Sequence, residues 1–301
     1  MASKNIVVVF GATGEQGGSV VRALQQNPSF AVRAVTRNLD GKGAQELKKL
    51  KVDVVKGDLD DVESLKKAVA GAYGCFLVTN YWEHLDANRE LQQGKNVVDA
   101  CKVAGIKHLV FSGLENTEGS GVAGPVPHFD AKGKIEDYIQ RAGISYTSTR
   151  LSFYNENFLS FFPPRKIAEN KYAVSIPMGN KPLFVISVND LGPCVAEIFK
   201  DPSKYKGKRI GLAGDKLTVD QVCTTFSKHL KPKQFENTKT SHEEFSKFGF
   251  PGATELAHMF HFYQLKDNLR DVELTKMLNP KVLSFDAWVQ ANKDKLNQVM
   301  K

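Results

Sequence analysis

The stretch PVPHFDAKGKIEDYI, residues 125–139, places His128 and Lys132 four positions apart, on one face if the segment is helical. An imidazole titrates near neutral pH, and an ammonium can orient or polarise an oxygen, so the two could serve as an acid and its support. Whether they do depends on what the rest of the chain holds against them.

The strongest local signal is VVVFGATGEQGGSVVRAL, where a β-branched run enters Gly11, Gly14 and Gly17 at G-x-x-G-x-x-G spacing and a helical segment follows. Glycines there permit a tight turn and close approach of backbone to a pyrophosphate, and a helix N-terminus offers N–H groups and positive potential. As the first strand-to-helix turn of a βαβ unit, it is the context a dinucleotide loop requires. The second strand ends AVTRN, with Arg37 where a binder of NAD would place an acid for the ribose 2′-hydroxyl. A guanidinium suits a 2′-phosphate, so the expected cofactor is NADP(H), with Lys42 as a second cation and Asp40 as an unfavourable neighbour. Later strand ends bring Asp58 and Leu59 for the adenine, Thr79, Asn80 and Tyr81 for the ribose and nicotinamide side, and Ser112.

The elements that must position these residues alternate between β and α patterns. Strands are predicted at Ile6–Phe10, Ala31–Thr36, Asp53–Lys56, Cys75–Val78, His108–Ser112 and Ser145–Arg150. Helices are predicted at Gly17–Gln26, Ala44–Lys49, Val62–Ala70, Asn88–Ala104 and Lys132–Ala142. The expected fold class is α/β, a Rossmann-type doubly wound parallel sheet with a smaller, mostly helical C-terminal domain. The expected division gives residues 1–153 to the dinucleotide-binding domain, with 184–215 returning to its sheet, and 154–183 and 216–301 to the smaller domain. SFYNENFLSFFPPRK, with its Pro-Pro break, is expected to be a loop.

Composition narrows the function classes. Across 301 residues, 42% hydrophobic and 25% charged residues are those of an ordinary globular protein. No apolar run reaches membrane-spanning length, and the N-terminus enters the first strand without room for a signal peptide, so the expected location is the cytosol, with the nucleus open. Four scattered cysteines, Cys75, Cys101, Cys194 and Cys223, read as reduced buried residues. The net charge of +8 lacks the interleaved aromatics or motifs of a nucleic-acid binder, so solvated surface explains it better. His258 and His261, at i, i+3, lack a visible third metal ligand, and no metal is expected. The Gly-rich segment at 115–127 reads as a flap or a surface loop.

VVVFGATGEQGGSV, VTRN, VTNYWE, VFSGLEN, HFDAKGKIEDYI, STRLSFYNENFL and VNDLGPCV together resemble the NmrA-like family of the atypical short-chain dehydrogenase/reductase superfamily, its animal redox-sensor members in particular. The resemblance runs from residue 4 to about 290. It implies NADP(H) in a cleft between the two domains. The cofactor contacts it implies are Gly11, Ala12, Thr13, Gly14, Glu15, Gln16 and Gly17; Arg37 and Asn38; Asp58 and Leu59; Thr79 to Tyr81; Lys132; and Tyr154, Asn155, Glu156 and Asn157. Members of the family carry a Lys near Gln92, and this chain departs from the pattern there.

In this superfamily a Tyr, its pKa lowered by a Lys four residues later, handles the substrate proton. Here His128 holds the Tyr place and Lys132 the Lys place, and none of the eight tyrosines has Lys four positions on. Ser112 then has no Tyr to orient. The resemblance implies that Lys132 bonds the nicotinamide ribose. The expected function is an NADP(H)-binding redox sensor without the usual catalyst, signalling to protein partners, with a homodimer plausible from the superfamily. The alternative is an NADPH-dependent reductase of quinone-like or aromatic substrates using Lys132, with Phe153, Tyr154, Phe158, Phe161 and Phe162 lining its pocket.

Overall fold

The computed structural model describes residues 4–300 and divides into two compact units. The first comprises the chain up to Asn116, His128–Arg150 and Asn189–Ile210. Its strands are β1 (Asn5–Val9), β2 (Phe30–Thr36), β3 (Asp53–Lys56), β4 (Gly74–Leu77), β5 (His108–Ser112) and β6 (Tyr146–Leu151). With the strand Arg209–Leu212 they form a seven-stranded sheet ordered Arg209–Leu212, β6, β5, β4, β1, β2, β3. The registers from β3 through β6 are all parallel. The order reverses between β1 and β4, the switch point where ligands of such sheets bind at the carboxyl edge.

Helices cover both faces. On one lie α3 (Val62–Val69), α4 (Ala87–Val103) and α5 (Pro127–Ala142), whose Leu65, Val97, Val98, Cys101, Ile135 and Ile139 pack with Val8, Phe10, Cys75, Leu77, Leu109 and Phe111 of the strands and the residues just beyond them. Each fully buried Leu, Val, Ile or Phe contributes about 1.5–3 kcal/mol. On the other, α1 (Glu15–Gln25) meets α6 (Leu191–Lys200) almost backbone to backbone, since a Cβ on Gly192 would lie 2.1 Å from the Ser19 carbonyl oxygen. Ser19 secures the crossing by donating to Asn189 O at 2.7 Å and accepting from the Gly192 N–H at 3.0 Å.

Two buried polar groups fix the far edge of this sheet. The Glu136 carboxylate of α5, 1% exposed, accepts from Ser148 Oγ at 2.6 Å and from Arg150, and it pairs with Arg209. His108, fully buried, places Nδ1 2.9 Å from Ser145 Oγ and Nε2 2.9 Å from Thr147 Oγ1. Because Thr147 Oγ1 already donates to Tyr205 O, it must accept from His108, which assigns the proton of the neutral ring to Nε2. Burial, then the charge of Lys206, pushes the His108 pKa down to about 4. The unfolded chain therefore binds the extra proton first, and stability present above about pH 6.5 is lost as the pH falls toward 4. The full loss is about 3 kcal/mol, to be read as a falling urea midpoint that a His108→Gln variant flattens.

The second unit comprises Thr117–Pro127, Leu151–Val188 and the chain from Gly211. It is helical toward its C-terminus but also holds two three-stranded sheets. In one, Leu183–Ile186 lies between Asp215–Leu217 and Phe153–Tyr154. In the other, Lys171–Val174 lies between Gln234–Asn237 and Arg165–Ala168. The segment SFYNENFLSFFPPRK, residues 152–166, expected to be a loop, holds the two-residue strand Phe153–Tyr154 and the short helical turn Asn155–Leu159, and the hairpin of Arg165–Ala168 with Lys171–Val174 begins at its end. Within the 184–215 stretch expected to return, residues 189–210 belong to the first unit and Arg209–Leu212 fills the edge of the large sheet, while Leu183–Ile186 pairs with strands of the second unit. No helix is long and apolar enough to cross a membrane among the described residues.

Of the aromatic residues proposed to line a substrate pocket, Phe153, Phe158 and Phe162 pack into the core of the second unit. Phe158, fully buried, contacts the rings of Phe153, Phe226 and Phe285 at 5.1–5.6 Å, and Phe162 stacks on Phe245. Phe161 is exposed. His258 and His261 serve the same unit by holding the Gly-rich segment. His258 Nδ1 lies 3.0 Å from Pro125 O, and His261 Nδ1 accepts from the Ala123 N–H at 3.0 Å. No metal-type cluster occurs among the described residues.

Candidate cofactor site

The glycine loop joins β1 to α1, and its three glycines have different reasons to be there. Gly11 has φ +62°, and a Cβ on it would lie 2.7 Å from Val78. A Cβ on Gly17 would lie 2.2 Å from Gly11 O, so the turn closes only without one. Gly14 is otherwise: its backbone is ordinary extended, and its Cβ would meet nothing nearer than Gly11 O at 3.4 Å. The protein itself does not need glycine at 14, and a side chain there would fill the space in front of α1. Whereas Asp61 caps α3 and Asp86 caps α4, Gly14 contributes no side-chain acceptor to α1. The loop therefore keeps the bare cradle and the positive helix end that a pyrophosphate requires. Gly17→Ala is expected to destabilise the protein by about 1–3 kcal/mol. Gly14→Ala is expected to leave the melting temperature nearly unchanged and weaken dinucleotide binding in a calorimetric titration.

The remaining loop residues divide by exposure. Thr13 and Glu15 are exposed, Ala12 is buried, and Gln16 accepts a 2.6 Å hydrogen bond from Ser112 Oγ at the end of β5. Ser112 is thereby committed to the glycine loop. At the end of β2, Arg37 pairs with Glu83, which lies in the short turn Tyr81–Glu83 after β4. Asn38 Oδ1 accepts from the Asp40 N–H at 2.9 Å and shapes the loop into α2 (Lys42–Lys49). Lys42 is the exposed first residue of that helix, and a Cβ on its neighbour Gly43 would lie 3.0 Å from Thr13 Cβ. The structure thus brings the Arg37 loop beside the glycine loop.

After β3, the half-buried Asp58 accepts from the Asp60 N–H at 3.0 Å, and Leu59 packs against the core. This turn is bolted to α4. Asp60 pairs with Arg89 at 2.7 Å and accepts from Gln93, while Asn96 donates to Leu59 O at 2.9 Å. The Arg89 guanidinium, with help from Gln93, holds the Asp60 carboxyl below the usual range. Gln92 spends its amide on Asn96 of its own helix at 2.8 Å.

Lys132 departs most from expectation. Its ammonium reaches Thr79 O at 2.9 Å, Thr79 Oγ1 at 2.8 Å and Glu90 Oε1 at 2.6 Å, three acceptors for three donors. Thr79 Oγ1 in turn donates to Glu90 Oε1 at 2.6 Å. Glu90 is fully buried, and its other oxygen, Oε2, has no hydrogen-bond partner. The cation expected to face a ribose or a substrate is thus held against a buried carboxylate. His128, in the Tyr place, is 6% exposed and packs among the rings of Trp82 at 4.8 Å, Phe129 at 4.8 Å and Tyr81 at 6.0 Å. Asn80, preceding that turn, is exposed.

Tyr154, Asn155, Glu156 and Asn157 belong to the second unit. The Glu156 carboxylate accepts from Ser187 Oγ at 2.6 Å, Trp288 Nε1 at 3.1 Å and the Val188 N–H at 3.0 Å, so its oxygens are occupied. Asn155 is fully buried, and neither polar atom of its amide has a hydrogen-bond partner within the protein.

Sequence reasoning missed Glu83, Asp60, Arg89 and Glu90. Glu90 does leave a trace: it heads the stripe Glu90, Gln93, Gly94, Val97 and Cys101, an acid on the apolar face of its helix. The four cysteines are buried and free. Burial pushes the thiols of Cys194 and Cys223 up to about 12 and raises that of Cys75, so these thiols stay protonated at neutral pH.

Comparison with known proteins covers nearly the whole chain. The NmrA-like family model matches residues 3–292. The NmrA-like family domain-containing oxidoreductase FrzB of a Cladobotryum species is 34% identical over 281 residues, 86% of this chain and 84% of that protein. Among solved structures, the negative transcriptional regulator NmrA in complex with NADP has a TM-score of 0.80 at 23% identity, over 96% of this chain and 95% of that one. The NADPH-dependent quinone oxidoreductase of Escherichia coli complexed with NADPH has a TM-score of 0.79 at 24% identity, over 95% and 99%. At these identities the two structures establish likeness of fold.

Proposed function

The chain belongs to the NmrA-like family, and we propose that it binds NADP(H) at the carboxyl edge of its large sheet and works as a regulator that reads cofactor status for a protein partner. The observation that carries this reading is the neutralised Lys132. A short-chain reductase relies on a Lys whose charge faces the Tyr and the ribose. Here the charge is cancelled by buried Glu90 at 2.6 Å, and a histidine packed among aromatic rings holds the Tyr place. The residues that would hold the cofactor are the Gly11–Gly17 loop for its pyrophosphate, Arg37 for its 2′-phosphate, and Asp58 with Leu59 for its adenine. Bound there, NADP(H) supplies a hydride donor or acceptor. The chain's own contribution is to bind and orient, through the Gly14 cradle and the Arg37 guanidinium.

A cofactor that binds two conformations equally shifts nothing, so the regulator requires the reduced and oxidised forms to differ in affinity. The name oxidoreductase carried by FrzB favours a second reading, an NADPH-dependent reductase. One experiment separates them: NADPH oxidation, followed at its near-ultraviolet absorbance, against a panel of quinones and aromatic carbonyls. The regulator shows stoichiometric binding and no turnover. Sustained oxidation with any of these substrates overturns it.

A further inference from the structure

Arg37 and Glu83 form an ion pair whose side chains are 60% and 41% exposed. Glu83 comes from a different strand end, two residues beyond Tyr81, and its carboxylate takes the Arg37 Nη1 donor that an anion brought to the guanidinium would use. Bonding from Glu83 raises the Arg37 pKa, with smaller contributions from the charges of Asp58 and Asp60. Asp60 is already matched by Arg89 and Gln93, whereas Glu83 pairs with the Arg37 guanidinium. Solvent-exposed pairs of this kind are weak and readily exchanged. A phosphomonoester, near two negative charges at neutral pH and able to accept a bidentate guanidinium, outcompetes a single carboxylate for the same arginine.

We propose that Glu83 is a built-in competitor for the nucleotide 2′-phosphate: it occupies Arg37 in the free protein and leaves it when a 2′-phosphorylated adenine nucleotide binds. This rests on the assignment of Arg37 to the 2′-phosphate and adds a residue that sets how strongly that group is preferred. A ligand with a free 2′-hydroxyl has no charge with which to displace Glu83 and leaves the pair intact. Glu83 thereby tempers affinity for NADP(H) without changing that for NAD(H). Glu83 also lies in the same short turn as Tyr81 and Trp82, whose rings contact His128.

The test uses adenosine 2′,5′-bisphosphate and adenosine 5′-monophosphate, titrated calorimetrically against the full chain, Glu83→Gln, Arg37→Ala and the double variant. Wild type is expected to prefer the bisphosphate by about tenfold or more. If it binds the two alike, the assignment of Arg37 fails, and the inference with it. Given that preference, Glu83→Gln is expected to tighten the bisphosphate about threefold to tenfold at low salt and to leave the monophosphate unchanged. The gain should shrink as salt rises and vanish in the Arg37→Ala background. A Glu83→Gln protein that binds the bisphosphate no more tightly than wild type, or that changes affinity for both nucleotides equally, overturns the role of Glu83 while leaving that of Arg37 standing.

Discussion

Lys132→Met is expected to destabilise the protein by about 3–5 kcal/mol, whatever the variant does to cofactor binding. Methionine keeps most of the apolar stem but removes the cation that faces Glu90, whose carboxylate is fully buried and bonded otherwise to Thr79 Oγ1. An unpaired carboxylate in that position must either stay charged at low dielectric or take up a proton, and both are costly. A loss of that size is a large share of a typical total of about 5–15 kcal/mol. The companion Glu90→Gln/Lys132→Met leaves no buried charge and is expected to recover most of the loss, read as the urea midpoint at neutral pH. The pair of variants also governs how any kinetic result is interpreted. Inactivity of Lys132→Met alone would report a damaged fold as readily as a missing acid, so a reductase role for Lys132 is tested in the double variant. A Lys132→Met protein as stable as wild type would contradict the buried ion pair.

Arg37→Ala is expected to weaken NADPH binding about tenfold to a hundredfold while changing NADH binding less than about twofold. The guanidinium is the cation at the end of β2, where an NAD-specific protein would carry an acid. Its present partner is an exposed glutamate, so little folding free energy is at stake, and the melting temperature should barely move. Affinity and stability thus separate at Arg37, whereas they fall together at Gly17, where an added Cβ collides with the Gly11 carbonyl.

The contrast between these residues shows what a linear chain can and cannot convey. The six parallel strands are legible because buried β-branched runs alternate with helical stripes, and their observed bounds shift by a residue or so from the expected ones. The glycine loop is legible because Gly11 and Gly17 answer to constraints only a few residues away. Arg37 is legible by place, since a strand end at the carboxyl edge is a known address. Glu90 is less so: forty-two residues separate it from Lys132, and an acid in a helix looks the same whether it meets water or a buried ammonium. Glu83 is hidden for a similar reason, its partner lying two strands away. In the second unit, strands as short as Phe153–Tyr154 and Asp215–Leu217 carry too few residues for a period, and they exist because neighbours supply their hydrogen bonds. Phe158 and Phe162 pack a core because their ring partners Phe226 and Phe245 arrive from more than sixty residues along the chain.

The most direct test of the account is a calorimetric titration of the intact protein with NADPH, NADP+ and NADH in one buffer. NADPH is expected to bind with one site per chain, more tightly than NADP+ and at least tenfold more tightly than NADH. Equal affinity for NADPH and NADH would contradict the assignment of Arg37, and equal affinity for NADPH and NADP+ would leave the protein unable to read the redox state of its cofactor.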